Sequence, residues 1–139
     1  MGAVNRSTYR VIYGDTDQMG VVYYANYFAF FERGRCEYMR ERAFDYAAFE
    51  RDGFAFPVVD AACRYRSPAR FDDLLVIETQ VTSVARVRFD FGYRILRDDT
   101  VLAEGATQHA CIARGRPARL PASLRGLLPD EFHEHLARA

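Results

Sequence analysis

A short stretch near the start of the chain contains residue types suited to hydrolysis. Asp15 and Asp17 lie in a loop with Gly14 and Gly20, directly before a segment with helical periodicity. A carboxylate can attack a carbonyl carbon or activate a water molecule. The N-terminus of a helix presents unpaired N–H groups and a partial positive charge, which can hold a developing oxyanion. Together these are the parts needed to hydrolyse an ester or a thioester, and Gly20 would let a substrate approach the backbone closely.

Two other interpretations of this loop involve no catalysis. The carboxylates are also compatible with a plain loop in which they cap turns, and we expect Asp15 to shape the loop rather than to react. A calcium loop is disfavoured, although the spacing of Asp15, Asp17 and Gly20 is similar to the start of an EF-hand. The fifth and twelfth positions of such a loop would be Met19 and Asn26, and a bidentate Glu is needed at the twelfth.

A long helix and a set of strands must position these residues. Helical spacing of Tyr27, Phe30, Phe31, Gly34 and Tyr38 predicts a helix over residues 25–43 with an apolar stripe. A second, short helix is predicted over residues 45–52, with a stop at Gly53, and a third over residues 122–138, with an interruption at Pro129. Strands are predicted over residues 8–13, 56–66, 74–84, 87–95 and 101–113, with a hairpin turn at residues 97–100.

The order of these elements is one strand, a long helix and four further strands. A helix with a strong apolar stripe needs a sheet to bury it, and short connections favour antiparallel pairing. We therefore predict an α+β fold in which a curved, antiparallel, five-stranded sheet wraps around the long central helix. The chain has 139 residues, half of them apolar, which predicts one domain over residues 1–139.

Composition excludes several other functions. The formal net charge is zero, with no basic tail, so nucleic acid is not an expected partner. All 19 basic residues are Arg, which excludes a lysine Schiff base. Cys36, Cys63 and Cys111 are isolated, so we expect neither disulfides nor a zinc site. Residues 1–10 lack an apolar run, and no stretch reaches the roughly 18 apolar residues of a membrane span, so we expect a cytoplasmic protein.

The stretch from Asp15 to Tyr27, DTDQMGVVYYANY, resembles the signature of the 4-hydroxybenzoyl-CoA thioesterase family. It resembles most closely the branch that contains the Tol-Pal-associated acyl-CoA thioesterases. The resemblance continues through residues 31–33 and 66–73 and fades after about Pro121. It implies a hot-dog fold, hydrolysis of acyl-CoA to acid and free CoA, no metal or other cofactor, and active sites at a subunit interface in a homodimer or homotetramer.

The same resemblance implies roles for individual residues. Asp17 is the catalytic carboxylate, as nucleophile or general base, and the backbone N–H of Tyr24 holds the thioester oxygen. Tyr24 is shared with the hydroxybenzoyl enzyme, whereas the Tol-Pal branch often has His there, so the acyl group stays open between aromatic and short aliphatic. Apart from the resemblance, Arg64, Arg66 and Arg70 cluster around the Ser67-Pro68 turn, where they can either grip CoA phosphates or be surface charges at a strand end. The candidate substrate-binding residues are Thr16, Gly20, Val21, Tyr27, Glu32, Arg66, Ser67 and Arg70.

Three alternatives to an acyl-CoA thioesterase differ in chemistry. The substrate thioester can belong to an acyl carrier protein instead of CoA, and the domain can bind acyl-CoA without hydrolysing it. A hydratase is disfavoured because that chemistry needs a His near the carboxylate, and the first His in the sequence is His109.

Overall fold

The computed structural model describes residues 4–125. In chain order the strands are β1 (Asn5–Arg10), β2 (Phe54–Ala55), β3 (Val58–Tyr65), β4 (Leu74–Val84), β5 (Arg88–Arg97), β6 (Thr100–Ala110), β7 (Ile112–Ala113) and β8 (Arg116–Pro117). Five of them form an antiparallel sheet in the order β1-β4-β5-β6-β3, and β2, β7 and β8 form a small second sheet.

The helices are α1 (Tyr27–Glu41), α2 (Tyr46–Arg51) and α3 (Ala122–Arg125), with single 3-10 turns at Tyr13–Asp15 and Tyr24–Asn26. α1 packs against β4, β1 and β5. A sheet of five antiparallel strands packed on one long helix confirms the predicted α+β class.

The sequence located most elements within a few residues. The prediction for residues 74–84 coincides with β4, and the predicted turn at 97–100 joins β5 to β6. The first strand was placed three residues too late, because after Arg10 the chain leaves β4 and the Val11 N–H donates to the Asp73 carbonyl instead. The segment predicted as the last strand, residues 101–113, forms two strands, because β6 ends at Ala110 and β7 joins the small sheet. The predicted helix beyond residue 125 lies outside the described residues.

α1 approaches the sheet more closely than a side chain would allow at Gly34. Phe30, Phe31, Gly34 and Tyr38 form its buried face. A Cβ atom at Gly34 would lie 2.2 Å from the Thr79 Oγ1 atom of β4, well inside van der Waals contact. The absence of a side chain at this position therefore sets the distance between helix and sheet.

A row of hydrogen-bonded polar groups crosses the sheet beside α1. Arg35 Nη1 donates to the Tyr93 hydroxyl (3.2 Å), which lies 2.6 Å from Thr107 Oγ1. Thr107 Oγ1 lies 2.8 Å from His109 Nε2, and His109 Nδ1 lies 3.2 Å from the Phe56 carbonyl. A carbonyl only accepts, so Nδ1 carries the ring proton and Nε2 accepts from Thr107. Burial lowers the pKa of His109 to about 4, so the ring is neutral at pH 7.

We expect Gly34→Ala to lower the free energy of unfolding by about 1–3 kcal/mol, because the new methyl group overpacks the contact with Thr79. This is the reverse of the gain of about 1 kcal/mol that Ala gives over Gly in an unconstrained helix. Urea unfolding followed by circular dichroism measures the change. Cys36→Ala, at an exposed position of the same helix, is the control and should change stability little. A Gly34→Ala variant at least as stable as the parent would contradict the close approach.

His109 should make the fold less stable in mild acid. Between pH 6.5 and about 4 the imidazole of the unfolded chain takes up a proton while the buried ring stays neutral. The free energy of unfolding therefore falls as the pH drops through this window, by about 3 kcal/mol in total. In His109→Val this contribution should be absent, so stability should depend less on pH. Denaturant titrations of both proteins from pH 4 to 7 measure the difference, and parallel pH profiles would argue against it.

Candidate active site

The Asp17 carboxylate lies on a tight hairpin built by backbone hydrogen bonds. The Asp17 N–H donates to the Val21 carbonyl (2.9 Å) and the Gly20 N–H donates to the Asp17 carbonyl (3.0 Å). Gly20 has φ +78°, in the left-handed region that favours glycine. Asp17 Oδ1 accepts from the Met19 N–H (2.8 Å), and within residues 4–125 Oδ2 has no hydrogen-bond donor. The hairpin thus fixes the carboxylate and leaves one oxygen available.

Asp15 connects this hairpin to its surroundings. Its carboxylate accepts from the Tyr9 hydroxyl (2.7 Å) and from the Ile12 N–H (2.9 Å). Its backbone carbonyl accepts from the Tyr23 N–H (2.9 Å) and from the Asn26 side-chain amide (2.8 Å). The two carboxylates of the motif therefore differ in environment. The side chain of Asp15 bonds to residues outside the hairpin, whereas that of Asp17 bonds to Met19 within it and keeps one oxygen without a donor among residues 4–125.

The start of the helix follows the hairpin directly. The first helical hydrogen bond runs from the Asn26 N–H to the Tyr23 carbonyl (2.9 Å). The N–H groups of Tyr24 and Ala25 precede it, and neither has an acceptor in the described part of the chain. The Thr16–Val22 bridge joins the two arms of the hairpin just before this point. Free donors and a carboxylate are therefore presented by the same short segment.

The negative charge of Asp17 also reaches Tyr23 at the helix start. A hydrogen bond with Tyr24 and the nearby negative charge of Asp17 both raise the pKa of the exposed Tyr23, the hydrogen bond being the larger cause. The rings of Tyr23 and Tyr24 pack with centroids 4.8 Å apart. The Asp17 carboxylate thus lies close enough to Tyr23 for its charge to raise the pKa of that hydroxyl.

The loop at residues 66–73 lies against the helix start. The Val22 N–H donates to the Ala69 carbonyl (2.8 Å), and the Tyr65 hydroxyl donates to the Tyr24 carbonyl (2.8 Å). These contacts bring the predicted residues Arg66, Ser67 and Arg70 to the side of the Asp17 hairpin.

Within that loop the two arginines differ. Arg66 is exposed and forms a surface ion pair with Glu104 at 3.3 Å. The backbone N–H of Arg70 donates to Asp73 Oδ2 (2.8 Å), while its side chain is exposed. Ser67 is partly buried, and its N–H donates to the Leu102 carbonyl (3.1 Å). Of these two side chains, only the Arg66 guanidinium has a protein acceptor; that of Arg70 has none among residues 4–125.

The remaining predicted residues separate into three positions. Thr16, Gly20 and Val21 belong to the hairpin itself. Tyr27 is buried at the start of α1, with its ring 5.2 Å from that of Tyr65, and burial raises the pKa of its hydroxyl. The side chain of Glu32 is 72% exposed and lies 3.8 Å from Arg35, at the rim of a cavity farther along α1. Within one chain, Glu32 is therefore placed with that cavity and not with the hairpin.

The described residues contain no cluster of three or more His, Cys, Asp or Glu side chains placed to hold a metal ion. Among the helices of that same part, none is long and apolar enough to cross a membrane. Cys36, Cys63 and Cys111 are free thiols.

Sequence reasoning missed four residues that hold the site together: Tyr9, Asn26, Tyr65 and Ala69. Asn26 carried a partial signal, since Asn is a favoured residue at a helix start, although its side-chain amide donates to the Asp15 carbonyl instead of capping α1. Tyr65 and Ala69 gave none, because their contacts with Tyr24 and Val22 join residues more than 40 positions apart.

Comparison with known proteins identifies the family. The sequence profile of the thioesterase-like superfamily matches residues 11–128, so the chain belongs to this superfamily and has its hot-dog fold. The chain is 39% identical over 118 residues to the acyl-CoA thioester hydrolase YbgC of Escherichia coli O6:H1, an alignment that covers 83% of this chain and 88% of YbgC. The resemblance inferred from the motif is thereby confirmed.

Solved structures agree with this assignment. Slr0204, a 1,4-dihydroxy-2-naphthoyl-CoA thioesterase from Synechocystis, superposes with a TM-score of 0.85 at 25% identity, over 92% of this chain and 97% of Slr0204. A 4-hydroxybenzoyl-CoA thioesterase superposes with a TM-score of 0.83 over 91% of this chain and 99% of that enzyme. Its identity of 19% supports the shared fold alone.

The two aspartates should respond differently to substitution. Asp15→Ala removes the acceptor of the Tyr9 hydroxyl and the Ile12 N–H, and should lower the free energy of unfolding by about 1–3 kcal/mol. Asp17→Asn should leave stability almost unchanged, because its amide oxygen can still accept from the Met19 N–H. Equilibrium unfolding in urea compares the two variants. Equal losses would contradict the division between a structural and a free carboxylate.

Proposed function

We propose that this protein hydrolyses acyl-CoA thioesters to the free acid and CoA, with Asp17 as the catalytic carboxylate. The observation that carries the proposal is the hairpin, which holds a carboxylate with an available oxygen close in sequence to the unpaired N–H groups of the 3-10 turn that leads into the 15-residue helix α1. Membership of the thioesterase-like superfamily and the name of the E. coli relative support the same reaction.

The backbone N–H of Tyr24 is the proposed donor to the thioester oxygen. As the carbonyl carbon is attacked, negative charge develops on that oxygen, and an N–H at a helix start stabilises it together with the helix dipole. The Tyr65 hydroxyl, bound to the Tyr24 carbonyl, holds this residue in place. Since the donor is a backbone group, the side chain at position 24 is free to contribute to acyl selectivity instead.

Asp17 can act in two ways. As nucleophile, its free oxygen bonds to the thioester carbon, the C–S bond breaks, and CoA leaves as a thiolate that takes a proton from solvent; water then hydrolyses the mixed anhydride. As general base, it removes a proton from a water that attacks the same carbon. Carboxylates are weak bases at neutral pH, which favours the nucleophilic route. Release of acid carrying an Asp17 oxygen in a single turnover in H₂¹⁸O would establish that route.

The proposed substrate contacts follow from the position of each residue. Thr16, Gly20 and Val21 form the wall nearest the thioester, and the exposed side chains of Arg70 and Arg66 reach the CoA phosphates, which a planar guanidinium can bind through two hydrogen bonds. The names of the relatives favour CoA over a carrier protein, and the aromatic substrate of the Synechocystis enzyme supports an aromatic acyl group here.

We also propose self-association and a cytoplasmic location. Seven of the eight residues of β3 are exposed, and the strand has one neighbour, β6, in the sheet. A long edge strand with exposed Val58, Val59 and Tyr65 is suited to pairing with a second copy.

The free thiols of the three cysteines suit a reducing compartment, which supports the proposed cytoplasmic location.

Asp17→Asn should abolish most hydrolysis while leaving the fold intact. We expect kcat to fall about 10²–10⁴-fold, the usual loss when a carboxylate that acts on the reacting atoms is replaced. The measurement is thiol release from short-chain, long-chain, benzoyl and hydroxybenzoyl-CoA. Asp52→Asn, the same charge change at an exposed position after α2, beyond the opposite end of α1, is the matched control and should keep full activity.

Two results would redirect the proposal. An unchanged rate in Asp17→Asn would remove Asp17 from the mechanism. No turnover of any acyl-CoA by the parent protein, followed by turnover of an acyl-carrier thioester, would change the substrate, whereas tight acyl-CoA binding without turnover of either would indicate a binding domain.

A further inference from the structure

One buried residue of the 66–73 loop, Ala69, joins the hairpin to the long helix. Its carbonyl accepts from the N–H of Val22, in the arm that returns from Asp17 (2.8 Å). Its backbone also bonds to the hydroxyl of Tyr27, the first residue of α1. Burial raises the pKa of that hydroxyl, whereas the bond with Ala69 lowers it. A hydrogen bond that favours the ionised hydroxyl is donated to it, so the donor is the Ala69 N–H.

The bridge through Ala69 is shielded from water. Ala69 is 0% exposed, and Val22 and Tyr27 are almost as deeply buried. A buried N–H or carbonyl that loses its partner is costly, because water is not there to replace it. Ala69 therefore cannot move away from the hairpin or from the helix without leaving a polar group unpaired.

Asp73 and Arg97 hold the chain on both sides of Ala69. Asp73 Oδ2 accepts from the Arg70 N–H (2.8 Å) and from Arg97 Nη1 (2.8 Å). The same Arg97 nitrogen donates to the Pro68 carbonyl (3.3 Å). Burial raises the pKa of Asp73, but the hydrogen bonds from Arg70 and Arg97 outweigh it and hold the pKa below its usual range. The carboxylate is therefore charged at neutral pH, and both chain neighbours of Ala69 are fixed.

This bridge is the second attachment of the hairpin to the helix start. The entering arm is attached through the Asp15 carbonyl, which accepts from the Tyr23 N–H and the Asn26 side chain. The returning arm is attached through Ala69. A hairpin held by one arm can still turn about that attachment, whereas one held by both arms cannot. Asp17 lies between the two arms, so its direction depends on both attachments.

We propose that Tyr27 and Asp73 are positioning residues for the hydrolysis, which act through Ala69 to align Asp17 with the backbone N–H of Tyr24. The proposal rests on the proposed function. Tyr27 was expected among the substrate-binding residues, and its burial and its bond with Ala69 give it this other role. A misplacement of about 1 Å at a reactive group can cost about 10²-fold in rate. Because the Asp15 attachment remains, we expect a smaller loss here.

Tyr27→Phe removes the acceptor of the Ala69 N–H and keeps the ring. It should lower kcat about 10-fold and change KM by less than about twofold, since alignment matters most in the transition state. Thiol release from the preferred acyl-CoA measures both constants. Tyr38→Phe is the matched control: it removes the same atom from another buried tyrosine of α1, about three turns farther along, and should keep kcat. Arg70→Gln should show the opposite pattern, a raised KM with kcat unchanged.

Asp73 gives an independent test at a partly exposed position. Asp73→Ala removes the acceptor of both Arg70 and Arg97 and should also lower kcat. Asp73→Asn keeps an oxygen that can accept from the Arg70 N–H, so it should recover much of the loss. A residue with a merely structural role would lower stability in both variants without this recovery of kcat.

Amide hydrogen exchange, followed by mass spectrometry, tests the bridge without turnover. Peptides that cover residues 16–24 should exchange faster in Tyr27→Phe and in Asp73→Ala than in the parent or in Tyr38→Phe. Unchanged exchange in both variants, or an unchanged kcat in both, would overturn the positioning role while the parent stays active. A parent that hydrolyses no thioester would instead refute the proposed function itself, and with it the catalytic part of this inference.

Discussion

The close packing of α1 on β4 at Gly34 is the constraint on which the rest of the structure depends. With no side chain at that position, the backbone of the helix comes within reach of the Thr79 side chain. Phe31 then stacks on Tyr93 with ring centroids 4.3 Å apart. A helix held so firmly along its length also has a fixed first turn, so the unpaired N–H groups at its start point in a constant direction.

The hairpin is attached to this fixed helix start by hydrogen bonds. Asp15 binds β1 through Tyr9 and the helix start through Tyr23 and Asn26, so strand, hairpin and helix are linked by one residue. Asp17, two positions later, makes none of these contacts. Pre-organisation of this kind means that little reorganisation is needed when charge develops on a bound thioester.

The sequence was sufficient where the pattern is local. Alternation from Phe89 to Ile95 and the apolar stripe of α1 are periodic signals, and the strands and the helix lie close to where those signals placed them. The motif is also a local pattern, so it was enough to place the Asp17 loop directly before the helix. Contacts made across the fold were not predictable: the pairing of Tyr65 with Tyr24, the polar row ending at His109, and the burial of Arg35 each depend on which strands become neighbours.

The shape of the hairpin does not depend on the side chains at its tip. Its shape is set by backbone hydrogen bonds and by Gly20, while Gln18 and Met19 at its tip are exposed, Met19 to 81%. Side chains at the tip can therefore change in size, charge and polarity without displacing the carboxylate. Substitutions at these two tip positions can therefore accumulate in a lineage of such proteins, one at a time, while the geometry of the hairpin is inherited intact.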